Sequence, residues 1–267
     1  MATWSRADSG FVALSLALSA CRHPQPEPLR VAAAADLSLA FAEVGEAYEK
    51  RTGRRVVFSF GASGLLERQI AEGAPFDAFA AADTSYADEA VRSGACRQDT
   101  KAIYATGHIV LYQAENASFR VSSLADLADP RIARVAIANP AHAPYGRAAK
   151  QALQRAGVWD RVQEKLVYGE NVQQTLQFAQ SGNADAAIVA RSLTIATPGE
   201  SAPIEPSLHD PIAQALVVCS NGRAGWQQGL QFARFVQSAE GQEILRRFGF
   251  SVPGPSATPD APSSPKP

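Results

Sequence analysis

Cysteine and histidine are scarce in this 267-residue sequence, and neither sign of charge is in excess. The three cysteines and four histidines are widely spaced, which matches neither a metal-ligand pattern nor a dense disulfide framework. The formal net charge of −1 is too balanced to suggest nucleic-acid binding. We therefore expect no cation site and no nucleic-acid partner. What is present, 46% hydrophobic and 19% charged residues over a length sufficient for two lobes, indicates an ordinary globular protein.

The N-terminal apolar run, residues 11–18, is too short to span a membrane as a helix and is followed by the small residues Ser19 and Ala20. This pattern predicts an export signal over residues 1–21. The tetrapeptide Leu18-Ser-Ala-Cys21 also resembles the bacterial lipobox, in which the cysteine is acylated and becomes the new N-terminus. We expect lipidation at Cys21 and a location in the periplasm or cell envelope, with the membrane contacted only through the lipid anchor. The alternative is an ordinary signal peptide.

Two further segments are too rich in proline and too poor in apolar residues to build a core. Residues 22–28 are predicted to be a tether, and residues 254–267 a disordered tail. Export would also allow Cys96 and Cys219 to pair in an oxidising compartment. The sequence does not show whether they lie close enough, so the free and the paired state both stay open.

Between these segments, short apolar runs alternate with stretches of helical periodicity, which predicts an α/β fold with mostly parallel strands. Two lobes explain the order best, each a mostly parallel sheet flanked by helices, with crossing strands near residues 107–112 and 211–218 as the hinge. Residues 29–107 and 217–253 form the first predicted lobe, and residues 108–216 form the second. In such folds ligands bind outside the carboxyl ends of the strands, in the cleft between the lobes.

Four predicted strand-to-helix junctions place a small or polar residue at the start of the helix: Ala35-Asp36, Ser63, Tyr145 with Gly146, and Asn171-Val172. The first N–H groups of a helix lack intrahelical partners and, together with the helix dipole, favour negative charge. If the four junctions converge, their N–H groups would surround a compact anion without a lysine or arginine touching it. Ser63 can cap its helix or turn its hydroxyl towards such an anion.

The motifs that carry these residues, with one further motif between them, are Ala33-Ala-Ala-Asp-Leu37, Gly61-Ala-Ser-Gly64, Gly73-Ala-Pro-Phe-Asp77, Ala143-Pro-Tyr-Gly146 and Glu170-Asn-Val172. In this order and register they resemble the periplasmic molybdate-binding proteins of ABC transporters, over nearly all of the chain from Leu29 to Pro253. The resemblance implies a two-lobed type II periplasmic binding protein fold that closes on molybdate or tungstate and delivers it to a membrane permease. It implies an oxyanion ligand and no cofactor, and we expect a monomer.

The resemblance also implies roles for individual residues. Ser63 matches a hydroxyl ligand and Val172 a backbone N–H ligand. Tyr145 matches a position where some members offer a tyrosine hydroxyl and others a backbone amide. Ala190 stands where many members have a ligand tyrosine, so one interpretation is that Tyr145 supplies the phenol that Ala190 lacks.

Asp36 stands where many members have serine. This difference from the family bears directly on which anion the site can bind. Fully deprotonated molybdate only accepts hydrogen bonds, and so does an ionised carboxylate, so this side chain cannot bind it directly. We therefore predict that the carboxylate caps its own helix while the Asp36 N–H faces the anion. Phosphate or arsenate is the leading alternative ligand, because phosphate often keeps a proton near neutral pH that a carboxylate can accept. Sulfate is a further alternative, although it is smaller and should fit loosely.

The alternative to a binding protein, from a different functional class, is an enzyme. Ser63 would be the nucleophile of a hydrolase, but Leu65 replaces the second glycine of the Gly-x-Ser-x-Gly elbow. Asp77 and Asp83 flank a predicted strand, where capping and turn roles are favoured over an acid/base pair. We therefore predict no catalytic residue. Arg147, the one basic residue beside the four junctions, is predicted to be a solvated residue of the first helical turn and not a ligand. The third possible function is that of a surface lipoprotein that acts through protein contacts.

Overall fold

The computed structural model describes residues 27–118 and 120–253. Its strands, in chain order, are β1 (Leu29–Ala34), β2 (Val56–Gly61), β3 (Ala78–Ala81), β4 (Ala102–Gly107), β5 (Ile109–Gln113), β6 (Val135–Ala138), β7 (Leu166–Gly169), β8 (Ala186–Ala190), β9 (Glu200–Pro203) and β10 (Ile212–Val218). They form two five-stranded sheets, ordered β2-β1-β3-β10-β4 and β7-β6-β8-β5-β9. These sheets are the cores of the two predicted lobes.

Each sheet is parallel except for one strand. In the first sheet β1 pairs in parallel with β2 and β3, and β10 runs antiparallel to β3 and β4. In the second sheet β6 pairs in parallel with β7 and β8, and β5 runs antiparallel to β8 and β9. The prediction of two lobes with mostly parallel sheets is therefore confirmed.

The α-helices are α1 (Ser38–Thr52), α2 (Ser63–Ala71), α3 (Thr84–Arg92), α4 (Pro144–Arg155), α5 (Trp159–Val162), α6 (Val172–Gln180), α7 (Arg191–Thr194), α8 (Trp226–Val236) and α9 (Ala239–Arg247). The first three helices and the last two flank the first sheet, and the others flank the second. No helix in the described part of the chain is both long and apolar enough to span a membrane.

Helix α1, which follows the junction at Asp36, is held in place by packing against α8. Phe41 and Tyr48 lie one above the other on the buried face of α1 and meet Phe232 edge-on, with ring centroids 6.0 and 5.4 Å apart. Aromatic pairs of this geometry contribute about 0.5–1.5 kcal/mol each beyond their buried area. The helix ends at Gly53, whose φ of 71° is in the left-handed region that favours glycine. The chain that precedes α1 is thereby held against the sheet.

Two short segments join the lobes. The first crossing is at His108, between β4 and β5, which matches the predicted end of the first lobe at residue 107. The second lies in residues 204–211, between β9 and β10. The sequence analysis divided the strand at 212–218 between the lobes, and this boundary is wrong, because β10 pairs along its length with β3 and β4 of the first sheet.

A disulfide closes the outer part of the first lobe. Cys96 and Cys219 are bonded with an S–S distance of 2.04 Å, although 123 residues separate them in sequence. This answers the question that the sequence left open and is compatible with an oxidising compartment. The predicted lipidation site Cys21, the signal segment, residues 22–26 of the tether and the tail at 254–267 lie outside the described residues.

Candidate functional site

The four predicted residues line one cavity between the lobes. Asp36 and Ser63 follow β1 and β2 of the first sheet, and Tyr145 and Val172 follow β6 and β7 of the second. The space open to the centre of a water molecule is about 10 Å³, so the lobes are closed around a small volume. The complete lining is Ala34, Ala35, Asp36, Gly61, Ala62, Ser63, Ala82, Ala143, Pro144, Tyr145, Asn171 and Val172. This lining contains no lysine or arginine.

Ser63 lines the cavity and has a hydroxyl that can donate a hydrogen bond there. It is the first residue of α2 and fully buried, and its Oγ accepts a hydrogen bond from the Ala82 N–H at 3.0 Å. The serine oxygen is thus used by the protein as an acceptor, while its O–H stays available as a donor. Of the two roles considered for this hydroxyl, capping α2 does not occur, because Ala62 occupies the N-cap position.

Val172 offers a backbone donor. The Asn171 side chain caps α6 by accepting from the N–H groups of Gln173 and Gln174, both at 3.0 Å. The next N–H, that of Thr175, bonds to the Asn171 carbonyl. Within residues 27–118 and 120–253 the Val172 N–H has no acceptor, which leaves it free to bind an anion at the cavity that Val172 lines.

Tyr145 begins α4 in a similar way. Pro144 has no N–H to satisfy, and the N–H groups of Gly146 and Arg147 both bond to the Ala143 carbonyl. The Tyr145 N–H is left without an acceptor among the described residues. Gly146 is required here, because a Cβ atom would lie 2.1 Å from the Ala138 carbonyl oxygen. The start of α4 can therefore pack directly on the end of β6.

The hydrogen bonds of the Asp36 carboxyl differ from those that the sequence analysis predicted. Its fully buried carboxyl accepts through Oδ2 from the Tyr145 hydroxyl at 2.9 Å and from Gln214 Nε2 at 2.6 Å. It does not cap its helix, because Asp36 lies within a 3₁₀ turn at Ala35–Leu37 whose N-cap residue is Ala34. Its Oδ1 has no hydrogen-bond partner in the described chain. Burial raises the pKa of Asp36 to about 7, although the hydrogen bonds from Tyr145 and Gln214 lower it.

The Tyr145 phenol is committed to Asp36. The sequence suggested that this hydroxyl replaces the tyrosine missing at Ala190, but its proton is directed at the Asp36 carboxyl. Burial, followed by the Asp36 charge, raises the pKa of Tyr145 well above its usual value, so the phenol stays protonated. Ala190 itself is fully buried at the end of β8. In this closed form the backbone N–H is therefore the free donor of Tyr145.

Comparison with known proteins gives the family. A model of the family "Bacterial extracellular solute-binding protein" matches residues 29–251. The chain belongs to this family. It is 34% identical over 243 residues to the molybdate-binding protein ModA of Rhodobacter capsulatus, which covers 91% of this chain and 95% of the relative. It is 31% identical over 245 residues to the molybdate-binding protein ModA of Azotobacter vinelandii, with coverage of 90% and 96%.

A solved structure supports the same assignment. The periplasmic molybdate-binding protein of Azotobacter vinelandii superimposes with a TM-score of 0.79 at 27% sequence identity. The match covers 85% of this chain and 100% of that chain. The fold of this solute-binding protein is therefore the two-lobed type II periplasmic binding protein fold, as predicted.

Arg147 connects the lobes of this solute-binding protein at the rim of the cavity. Its guanidinium lies 2.5 Å from Asp83 Oδ2, donates to the Tyr86 hydroxyl at 2.8 Å, and sits 5.1 Å from the centre of the Tyr86 ring. Arg147 was predicted to be a solvated residue and not a ligand: it is absent from the cavity lining and its side chain is 34% exposed, but it is also paired with Asp83 and Tyr86, which the prediction did not include. Asp83 also caps α3 by accepting from the Ser85 N–H at 2.7 Å. Burial raises the pKa of Asp83, but its hydrogen bonds from Ser85 and the charge of Arg147 lower it overall.

Three residues beside Asp36 were missed by the sequence analysis. Gln214 is a lone polar residue in the apolar strand β10, and this interruption is the signal that would have found it. Ser192 donates through Oγ to the Asp36 carbonyl at 2.7 Å and so links the second lobe to the first. Tyr104 is buried, and its hydroxyl has no partner in the described part of the chain. Nothing in the local sequence of Ser192 or Tyr104 indicates a site.

The remaining acidic residue of the enzyme hypothesis has a structural role. The buried Asp77 accepts from the N–H groups of Arg30, Ala224 and Gly225 at 2.8, 3.0 and 3.2 Å, which ties β1 and the loop before α8 to the start of β3. It does not line the cavity. The residues that the structure describes contain no group of three or more His, Cys, Asp and Glu side chains that could hold a metal ion.

Proposed function

We propose that this chain is the extracytoplasmic substrate-binding component of an ABC importer for molybdate, and that it also accepts tungstate, which has nearly the same size. The observation that carries the proposal is the convergence of free donors, the Val172 and Tyr145 N–H groups and the Ser63 hydroxyl, on one cavity without a cationic side chain. Such donors bind a tetrahedral oxyanion through hydrogen bonds alone. The molybdate-binding relatives support the choice of anion.

The binding mechanism is closure of the two lobes. Ser63 and Asp36 belong to the first lobe and Tyr145 and Val172 to the second, so an anion that contacts both sets binds the closed form better than the open form. The anion thereby shifts the population towards the closed form, which the permease would recognise. Four protein contacts across the cleft assist: Gly64 N–H to the His142 carbonyl, Tyr145 to Asp36, Arg147 to Asp83, and Ser192 to the Asp36 carbonyl.

Binding without catalysis is part of the proposal. The named relatives are binding proteins, and among the described residues the hydrogen-bond partner of Ser63 Oγ is a backbone N–H and not a base. One chain supplies the whole cavity lining, which supports action as a monomer.

The export and anchoring of the chain are proposed from its first 21 residues alone. A Cys21→Ser variant is expected to be released from the membrane fraction of expressing cells, whereas the unaltered chain stays with it. Recovery of both forms in the soluble fraction would exclude the lipid anchor and leave a cleaved signal peptide.

Titration calorimetry with molybdate, tungstate, sulfate and phosphate tests the ligand. We expect molybdate and tungstate to bind with similar affinity and sulfate more weakly, because sulfate is smaller. Ser63→Ala should weaken molybdate binding by about 1–3 kcal/mol, the range for losing a hydrogen bond to a charged group. Ser59→Ala, at an exposed position of the preceding strand, is the matched control.

Two results would contradict the proposal in different ways. An unchanged dissociation constant for Ser63→Ala removes Ser63 from the site. Absence of any heat or thermal shift with all four oxyanions overturns the transport function and favours a role in protein contacts.

A further inference from the structure

Asp36 poses a chemical problem for an anion site. It lines the cavity and is fully buried, and its neighbours at hydrogen-bond distance, Tyr145 and Gln214, are neutral. An ionised carboxylate would place an acceptor and a negative charge against a dianion that itself only accepts hydrogen bonds. No lysine or arginine in the cavity lining offsets that repulsion.

The hydrogen bonds of the carboxyl are one-sided. Both side-chain donors, the Tyr145 hydroxyl and Gln214 Nε2, are directed at Oδ2, which occupies both lone pairs of that oxygen. Oδ1 is buried and has no partner among the residues that the structure describes. A proton on this carboxyl therefore resides on Oδ1, which can then donate a hydrogen bond.

We propose that Asp36 binds the oxyanion as a neutral carboxylic acid that donates from Oδ1, so that each protein molecule whose Asp36 is ionised takes up a proton from solvent when the anion binds. The inference rests on the proposed function and specifies the role of one residue within it.

Among the residues that the structure describes, the surroundings of Asp36 supply no other group that would perform this titration by contact. Its turn packs against β2, α1, α6 and α7, and β2 and α6 contain no ionisable side chain. Tyr104 and Tyr145 face it from β4 and α4 and stay protonated, because burial raises the pKa of both well above the usual value. The charged side chains on α1 and α7 are partly or fully exposed: Glu43, Glu46, Glu49, Lys50, Arg51 and Arg191.

The proposal fixes the direction and size of a pH effect. With a pKa of about 7 in the anion-free protein, the acid form is nearly complete at about pH 6 and falls to roughly a tenth at about pH 8. Since only that form binds, the dissociation constant should rise about tenfold between these two pH values. Proton uptake per anion should grow from about 0.1 to about 0.9 over the same range.

The test is calorimetry with sodium molybdate at about pH 6, 7 and 8, in pairs of buffers with different ionisation enthalpies, which together give the number of protons taken up. The unaltered protein should show the rise just described. Asp36→Asn keeps the acceptor for Tyr145 and Gln214 and offers a permanent N–H donor, so its affinity should be independent of pH and its proton uptake zero. His142→Gln is the control for a histidine near the cavity and should keep the proton uptake of the unaltered protein.

A second measurement covers the case in which Asp36→Asn does not fold. Infrared difference spectra of the unaltered protein at about pH 8 should gain the C=O band of a protonated carboxyl when molybdate is added. Molybdate binding with neither proton uptake nor this band overturns the acid role and leaves the transport function intact. Proton uptake that persists in Asp36→Asn, or tighter binding of phosphate than of molybdate, also overturns it. Failure to bind any oxyanion overturns the transport function itself.

Discussion

Two contacts made by neighbouring residues of α4 cross the same cleft under different conditions. Tyr145 reaches Asp36 in the interior, where a carboxyl is held by neutral donors and shielded from water. Arg147 reaches Asp83 at the rim, where both partners are charged and their side chains are 34% and 32% exposed. Both contacts hold the lobes together, but burial makes only the first one respond to pH near neutrality, whereas the second responds to salt.

The difference in burial also decides how much free energy each contact contributes to holding the lobes together. A partly exposed ion pair is screened by solvent, and such pairs typically contribute about 0–1 kcal/mol. Water cannot replace a hydrogen bond that a buried carboxyl loses. Changes in the protonation or hydrogen bonding of Asp36 should therefore have large effects on stability and binding. The predictions that follow probe the interior contact first and the rim contact last.

The largest effect should be on the pH dependence of stability. The pKa of Asp36 is about 7 when folded against an ordinary value of 3.8, so the carboxyl contributes stability below about pH 4 that is lost as the pH rises through 7. Relative to Asp36→Asn, the free energy of unfolding should fall by about 1.4 kcal/mol per pH unit over this range, on the order of 4 kcal/mol in total. Urea unfolding of both proteins between about pH 4 and 8 measures it. Parallel curves would show that the buried carboxyl does not control stability.

Removing one donor from the interior contact should have the next largest effect. Tyr145→Phe deletes the O–H that crosses the cleft to Asp36, which should weaken molybdate binding by about 1–3 kcal/mol, or roughly 5- to 150-fold. Because that hydrogen bond lowers the pKa of Asp36, the midpoint of the pH-dependent binding should also move above about 7. Calorimetry across pH measures both quantities.

Tyr112→Phe is the matched control for this variant. Its hydroxyl donates to the Pro198 carbonyl at 2.6 Å within the second lobe, away from the cavity. Its removal should leave the affinity and the pH midpoint unchanged. Weaker binding by Tyr145→Phe with an unmoved midpoint would mean that the tyrosine closes the cleft without controlling the protonation of Asp36.

The sequence was sufficient for features that depend on neighbours along the chain. A buried apolar run followed by small residues and helical periodicity identified the junctions at Asp36, Ser63, Tyr145 and Val172, and all four line one cavity. Each junction is local, because the free N–H groups belong to the first residues of the helix itself. Their convergence followed from the parallel sheets, whose strands end at the same edge.

The sequence was insufficient where distant residues compete for one side chain. Asp36 was expected to cap its helix, but its partners Tyr145 and Gln214 lie 109 and 178 residues away. The pairing of Cys96 with Cys219 is equally remote, at 123 residues. In these cases tertiary packing overrides a local preference, and the periodicity of one segment contains no information about its partner.

The smallest effect should come from the rim. Arg147→Ala removes the ion pair with Asp83 and the contact with the Tyr86 ring, each of which contributes about 0.5 kcal/mol at a partly exposed site. Molybdate binding should therefore weaken by less than about tenfold, and the loss should shrink as salt is added. It should not change between about pH 6 and 8, because the pKa of Asp83 is lowered and that of Arg147 is raised.

Arg246→Ala is the control for this last prediction, since Arg246 pairs with Glu243 on the same helix, α9, of the first lobe. A double-mutant cycle of Arg147→Ala with Asp83→Asn isolates the pair itself, because Asp83→Asn keeps an oxygen that can cap α3. If the cycle gave a coupling larger than the loss in Tyr145→Phe, or one that varied with pH as the interior contact does, burial would not be what separates the two contacts. The stability of the closed form would then depend on the charged pair at the rim. Burial of the Asp36 carboxyl would follow from closure, and its protonation would not control closure.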